Sequence, residues 1–380
     1  MKTIVISAVN IVEAGPLAIL RNCLHYLSEL AANEEYKVVA LVYERELAEY
    51  PNITYIETKW PKKNWINRLW YEYVSMKKVS KTIGPVYLWF SLHDTSPRVE
   101  ADLQAVYCHN SFTFYKWKWR ELLFAPKIVL FSLFTKYIYG FNVAANRYLV
   151  VQQEWFREAM AKDFNFSAQD IIVARPQQIV PIRNTSSSNK GGNGECYSFL
   201  FPASPNSHKN FECLCEAVAQ LDSKEGLPKF KVYITITGKE NSYTRWIFKK
   251  WGNRYESLCF IGFLGKESLL GYYEGVDCLV FPSKTESWGL PISEFANYGK
   301  PMLLADLPYA RETAAGSRCT AFFDPDRPDN LAAHMEQLIM GEATVLAPVP
   351  EREIAVPVAE EWSTLFNLLL NEQHEDITSR

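Results

Sequence analysis

At 380 residues and 48% hydrophobic, the chain is longer than one core usually grows, so two domains of about 150 to 200 residues are expected. Its net charge is only −3, too small an imbalance to argue for nucleic acid. The charge is unevenly spread: residues 1–180 hold 21 basic against 17 acidic side chains and the remainder 19 against 26, so an anionic ligand or surface is expected to meet the first half.

The β-branched run TIVISAV (3–9) reads as a strand that passes through a loop, NIVEAGP, into LAILRNCLHYLSELA, whose Leu and Ile spacing marks an amphipathic helix. A short apolar run with one Lys, followed at once by Asn10 and Glu13, reads as a first strand rather than a secretory signal. KVVALVY (37–43) is the next strand, and strand, helix, strand opens a doubly wound parallel sheet. Further strands are expected at PVYLWF (85–90), LQAVYCHN (103–110) and YLVVQQ (148–153). The last two end in polar residues, where the carboxyl edge of a sheet would present them.

Residues 175–195 change composition to Ser, Asn and Gly with prolines, a linker too polar to pack. The pattern then restarts: YSFLFPA (197–203), KVYITITG (231–238), CFIGFL (259–264) and CLVFPS (278–283) as strands, NFECLCEAVAQLD (210–222) and ESLLGYYEGV (267–276) as helices. A second linker, 341–357, precedes a last helix in AEEWSTLFNLLLNEQ (359–373). The expected domains are therefore 1–175, with the final helix at about 358–373 packing back on it, and 176–357, beginning with a flexible linker at about 183–195. Two such units in series imply a cleft between them. Nowhere do eighteen apolar residues run uninterrupted, so no membrane-spanning helix is expected. The eight cysteines are scattered in apolar runs with no Cys-x-x-Cys pair, and Cys213 and Cys215 lack further ligands nearby, which reads as reduced core thiols in a cytosolic protein.

SKTESWGLPISEFANYGKP (283–301) places Glu286 and Glu294 on either side of a Gly-Leu-Pro. Gly289 and Pro291 forbid one continuous helix here, so CLVFPS is a strand, KTESWG a loop at its carboxyl end, and LPISEFANYG a helix closed by Gly299. Glu286 then projects from the loop and Glu294 from the first helical turn, while amides of Gly289 and Leu290 between them can meet a phosphate. A ligand ordered as sugar, diphosphate, ribose matches hydroxyl acceptors on both sides of an anion site.

This stretch resembles the paired-glutamate signature of the retaining glycosyltransferase family four, and residues 266–335 are similar to that family almost throughout, as is FPASPNSHKNFECLCEAV (201–218). The resemblance implies a GT-B architecture, two Rossmann-like doubly wound domains facing a central cleft. It implies that Glu286 meets the donor sugar hydroxyls, Glu294 the ribose hydroxyls, and the intervening Trp288, Gly289 and Leu290 the phosphate or sugar. Lys209, between a strand and a helix, can neutralise a departing diphosphate. The family usually carries an Arg six residues earlier, where this chain has Ala203, leaving His208, Asn206 or another basic residue to substitute.

In the first domain His109, at a strand end, resembles the histidine by which the family touches the donor sugar, with Asn110 as a weaker companion. Gly15 matches its glycine loop, where a backbone without Cβ admits a diphosphate. Asp324 to Asp326 imitate a metal-binding triplet but read as a helix start at Asp326 or Asp329, so no metal and no cofactor are expected. Two stretches, 59–81 and 114–139, mix basic and aromatic residues. Lys62, Lys63, Trp65, Lys116, Trp117, Lys118 and Trp119 are the candidates for contact with an anionic membrane or a lipid-linked acceptor.

The implied activity is retaining transfer of a hexosyl unit from a nucleotide-diphosphate sugar to a lipid-linked or polysaccharide acceptor in surface glycan assembly (lipopolysaccharide, capsule or exopolysaccharide). Its expected setting is cytoplasmic, with peripheral contact at the inner face of the membrane. A nucleotide-sugar epimerase and a non-catalytic nucleotide-sugar binder are the alternatives.

Overall fold

A computed structural model describes residues 1–119, 121–176 and 196–370, so the expected linker at about 183–195 and the end of the expected last helix lie outside the described residues. The chain divides into two compact units. Residues 1–111, 134–176 and 354–370 make the first; 112–119, 121–133 and 196–353 make the second. The first unit contains β1 (Lys2–Ala8), β2 (Tyr36–Val42), β3 (Ile53–Glu57), β4 (Leu88–Ser91), β5 (Leu103–Tyr107), β6 (Tyr148–Val151) and β7 (Ile171–Ala174). The second contains β8 (Tyr197–Phe201), β9 (Phe230–Ile234), β10 (Leu258–Phe260), β11 (Cys278–Phe281), β12 (Met302–Ala305) and β13 (Thr320–Phe323), after which β14 (Val358–Ala359) returns to the first.

Both sheets are parallel, with orders β14-β7-β6-β5-β4-β1-β2-β3 and β10-β9-β8-β11-β12-β13. Counted within its own unit, the second order is 3-2-1-4-5-6, the doubly wound arrangement in which the winding reverses between the first and fourth strands. In doubly wound sheets the loops diverge at that reversal and leave a crevice outside the carboxyl ends of the strands; here the reversal lies between β8 and β11. In the first unit the corresponding reversal separates β1 from β4. β1 shows why its sequence is a continuous apolar run: Ile4, Ile6 and Ala8 enter a core on one face of the sheet, Val5 a second core on the other, with Trp89 and Met76.

The expected last helix is present as Trp362–Leu370 and buries Leu365, Phe366 and Leu369 in the first unit, where Phe366 stacks on Tyr26 at 5.5 Å between ring centroids. Two segments depart from the expected boundaries. Residues 354–357 belong to the first unit, held by buried Arg157, which donates to the carbonyls of Ala355 (2.6 Å) and Pro357 (3.1 Å). Residues 112–133 belong to the second unit although they lie between β5 and β6 in sequence. Phe124 stacks on Trp246 (4.8 Å), Lys118 pairs with Asp326 (2.6 Å), and the Phe112 ring meets His208 edge-on (4.9 Å). Each of these contacts depends on a partner more than 90 positions away, which chain order does not reveal.

Candidate functional site

The loops that follow β8 and β11 meet at the reversal of the second sheet. Lys209 ends a short 3-10 turn, Ser207–Lys209, and its ammonium donates to Glu286 Oε1 at 2.5 Å. The two side chains are only 13% and 14% exposed, so the pair is partly desolvated and its attraction exceeds that of a surface ion pair. Asn210 organises the surroundings. It takes the left-handed conformation (φ 61°) that an Asn tolerates, starts helix Phe211–Asp222, and donates from its amide to the carbonyls of Pro282 (3.1 Å) and Pro325 (2.8 Å). One buried side chain thereby ties together the loops after β8, β11 and β13. Sequence reading passed over it; an Asn at a strand-to-helix junction was the available signal.

The loop after β11 runs through Trp288 to Gly289, which has φ 90° and caps helix Leu290–Ala296. A Cβ at Gly289 would also lie 3.2 Å from Ile292 Cδ1, so both backbone and packing call for glycine. The helix is shorter than expected: it stops at Ala296, with Gly299 left-handed (φ 64°) three residues on. Because Gly289 is the cap, Glu294 is the fifth helical residue rather than a member of the first turn. Its Oε2 accepts from the hydroxyl of Tyr273 at 3.1 Å, and burial raises its pKa against the opposing pull of that hydrogen bond and of Lys266. Tyr273, fully buried in helix Lys266–Gly275, was missed in the sequence because nothing in YYEG distinguishes it from its neighbour Tyr272. Trp288 is buried, donating from its indole to Ser293 Oγ (3.1 Å), with its carbonyl taken by the Thr313 hydroxyl. Leu290 is exposed.

Ala203 is bonded through both backbone groups to Thr235 Oγ1. His208 does not supply the second cation: burial, then the neighbouring Lys209 charge, push its pKa well below the ordinary value, leaving a neutral ring. Asn206 donates to Ser204 Oγ instead. Asp326 pairs with Lys118 and lies 3.7 Å from Lys284, and Asp324 Oδ1 accepts from the Asp326 amide. The helix after this triplet is Pro328–Ile339, capped by Arg327 rather than by Asp326 or Asp329. Among the described residues no group of three or more His, Cys, Asp or Glu is gathered to hold a metal.

In the first unit Gly15 lies inside helix Ala14–Ala31, in its first turn, rather than in the preceding loop, and the space a Cβ would enter is open. His109 follows β5. Its Nε2 donates to the Leu92 carbonyl (2.9 Å), so Nδ1 carries the lone pair, and Nδ1 is buried without a hydrogen-bond partner. The ring stacks on Tyr107 at 4.5 Å, and burial lowers its pKa despite Asp94 and the Leu92 carbonyl. His109 is thus a neutral acceptor suited to a hydroxyl donor.

The basic and aromatic candidates are spread over several elements. Lys62 and Lys63 are exposed in turn Trp60–Lys63, Trp65 opens helix Trp65–Trp70 and stacks under the Arg68 guanidinium (4.9 Å), Lys116 and Trp119 are exposed, and Trp117 meets Trp119 edge-on. Helix Pro126–Gly140 presents an apolar side outward: Leu130, Leu133, Phe134 and Tyr137, then Phe141, are exposed at helical spacing, whereas Val129, Ser132, Thr135 and Tyr139 are buried. Residues 126–145 are long and apolar enough to cross a membrane by length and composition alone. The regular helix of 15 residues is about 22 Å long, short of a hydrocarbon core of roughly 30 Å.

Residues 183–352 match the model of the family described as glycosyl transferases group 1. No curated relative matches the sequence. The fold is similar to Anabaena Alr3699/HepE, solved with UDP and glucose (TM-score 0.61, 13% identity, 91% of this chain and 92% of that one). It is also similar to the lipopolysaccharide outer core galactosyltransferase WaaB (0.57, 13%, 90% and 92%) and to WaaG, a glycosyltransferase involved in lipopolysaccharide biosynthesis (0.60, 12%, 89% and 90%). Two parallel α/β units and these likenesses make the fold GT-B.

Proposed function

We propose, for a chain whose residues 183–352 match the glycosyl transferases group 1 family and whose fold is GT-B, retaining transfer of a hexosyl unit from a nucleotide-diphosphate sugar to a hydroxyl of a glycan or lipid-linked acceptor. The observation that carries this reading is the meeting of Lys209 and Glu286 at the reversal of the second sheet, with Glu294 beyond a left-handed Gly289. Glu286 accepts from sugar hydroxyls, Glu294 from ribose hydroxyls, and Lys209 moves from Glu286 to the β-phosphate as charge grows there. The acceptor oxygen bonds to the anomeric carbon as the bond from that carbon to phosphate breaks on the same face. The hydroxyl proton passes to the departing diphosphate, Lys209 is the proposed counter-charge there in place of a metal, and the neutral Nδ1 of His109 is proposed to accept from a sugar hydroxyl. In support, HepE is solved with UDP-glucose.

The setting proposed is surface glycan assembly, lipopolysaccharide included, at the cytoplasmic face of a membrane. The outward apolar side of helix Pro126–Gly140, flanked by exposed Lys127 and Lys136, supports docking in the plane of an anionic bilayer. A non-catalytic nucleotide-sugar binder is the second reading, favoured by Ala203, which stands where the family usually has an Arg, and by the neutral ring of His208.

A panel of UDP-, GDP- and ADP-hexoses tests the proposal. One donor is expected to raise the melting temperature of the chain and, with a membrane extract, to yield a glycosylated product of unchanged anomeric configuration. Stabilisation with no product would favour the binder, conversion of the sugar nucleotide without an acceptor the epimerase, and stabilisation by none would refute a donor site.

A further inference from the structure

The first sheet reverses between β1 and β4, and there an ionic cluster stands outside the residues considered so far. Arg68 Nε donates to Glu72 Oε1 at 2.9 Å, one helical turn away, and Glu72 is fully buried. Arg68 Nη2 donates to the backbone carbonyl of His93 at 2.8 Å. His93 is itself buried, with Nε2 2.8 Å from Ser7 Oγ on β1 and Nδ1 2.9 Å from Thr95 Oγ1 and 3.4 Å from Glu72 Oε1. A buried pair of this kind adds little net stability relative to apolar residues of the same volume, but it specifies one geometry.

That geometry is passed on to Asp94. Its backbone is left-handed (φ 68°), its amide donates to the Tyr107 carbonyl (3.3 Å), and its Oδ1 accepts from the amides of both His109 (2.5 Å) and Asn110 (2.9 Å). With the bond from His109 Nε2 to the Leu92 carbonyl, the segment after β4 and the segment after β5 are joined at four points. A loop that presents an imidazole is thus fixed at its backbone by Asp94 and at its ring by the Leu92 carbonyl.

We propose that Asp94 is the positioning residue for the His109 loop and that Arg68, oriented by Glu72, holds Asp94 in its left-handed conformation through the His93 carbonyl. The proposal rests on the reading of His109 as a sugar contact for its consequence in turnover, but not for its structural content. An Asn at 94 keeps both the left-handed conformation and an oxygen acceptor; a Gly keeps the conformation and removes the acceptor. A Lys at 68 keeps the charge but not the paired donors that reach Glu72 and His93 together.

Amide hydrogen exchange on the full chain without ligand separates these roles. Asp94→Gly and Arg68→Lys are expected to speed exchange at His109 and Asn110 by about tenfold or more while β1 amides stay protected, and Asp94→Asn to remain near wild type. Unchanged exchange at both amides in Asp94→Gly overturns the positioning role, and unchanged exchange in Arg68→Lys removes Arg68 from it. Turnover is then compared with His109→Ala, using the hexose nucleotide that stabilises the chain most in the panel above. Asp94→Gly should lower kcat with donor Kd unchanged, and Asp94→Asn should restore it. If His109→Ala keeps full turnover, the sugar contact fails while the exchange result still stands; if only His109→Ala loses turnover, positioning by Asp94 fails.

Discussion

If Glu294 holds the ribose as proposed, its burial beside Tyr273 makes donor binding sensitive to pH at that carboxyl. A carboxylate accepting from two ribose hydroxyls loses that capacity on protonation, and burial has raised the pKa of Glu294 above the ordinary glutamate value. Donor affinity is therefore expected to fall on acidification while ordinary glutamates are still ionised, and Glu294→Gln should lack this acidic limb in a calorimetric titration series. Glu294→Ala should raise the donor Kd by about tenfold to a hundredfold, the range for hydrogen bonds to a charged group. An unchanged Kd would remove Glu294 from the ribose. Gly289 offers a separate test: Gly289→Ala forces a Cβ into a left-handed position and should cost roughly 1–2 kcal/mol in urea unfolding, with less than that pointing to a loop that adjusts freely. Gly289 and Glu286 were legible in the sequence because turn chemistry and spacing are local. Tyr273, Asn210 and Asp94 were not, since each acts through a partner brought close only by the sheet.

At the scale of elements, helix Pro126–Gly140 is apolar on both faces, with Val129 and Tyr139 inward beside Ser132 and Thr135, and Leu130, Leu133, Phe134 and Tyr137 outward. Composition alone flagged the surrounding stretch as basic and aromatic but could not say which face was exposed. Periodicity shows that a helix has two faces, and tertiary packing chooses between them. Leu133→Ser with Phe134→Ser should leave folding nearly unaffected, because both side chains are exposed, and should sharply reduce binding to vesicles containing phosphatidylglycerol. Each inserted apolar side chain contributes roughly 1.5–3 kcal/mol, so losing two should weaken binding by about a hundredfold or more. Wild-type vesicle binding by the double variant would exclude this helix as the docking element.

For the whole molecule, two parallel sheets of the same construction were readable from strand, helix, strand periodicity and from the change of composition at residues 175–195. The two-residue β14 and the half-buried β3 escaped because so short a run, or a mixed edge, carries too little pattern. Membership of a unit was less legible still. Residues 112–133 and 354–357 follow their neighbours in sequence into one unit but pack in the other, drawn by Trp246 and Asp326 in one case and by buried Arg157 in the other. What the amino-acid sequence determined by itself was everything that depends on neighbours in the chain: the α/β class, the loop that breaks at Gly289, and the acids on either side of it. The tertiary structure alone decided which distant groups share a dielectric and a hydrogen bond, pairing Lys209 with Glu286, Tyr273 with Glu294 and Asp94 with the His109 loop, because desolvation and contact are properties of proximity in space rather than of order along the chain.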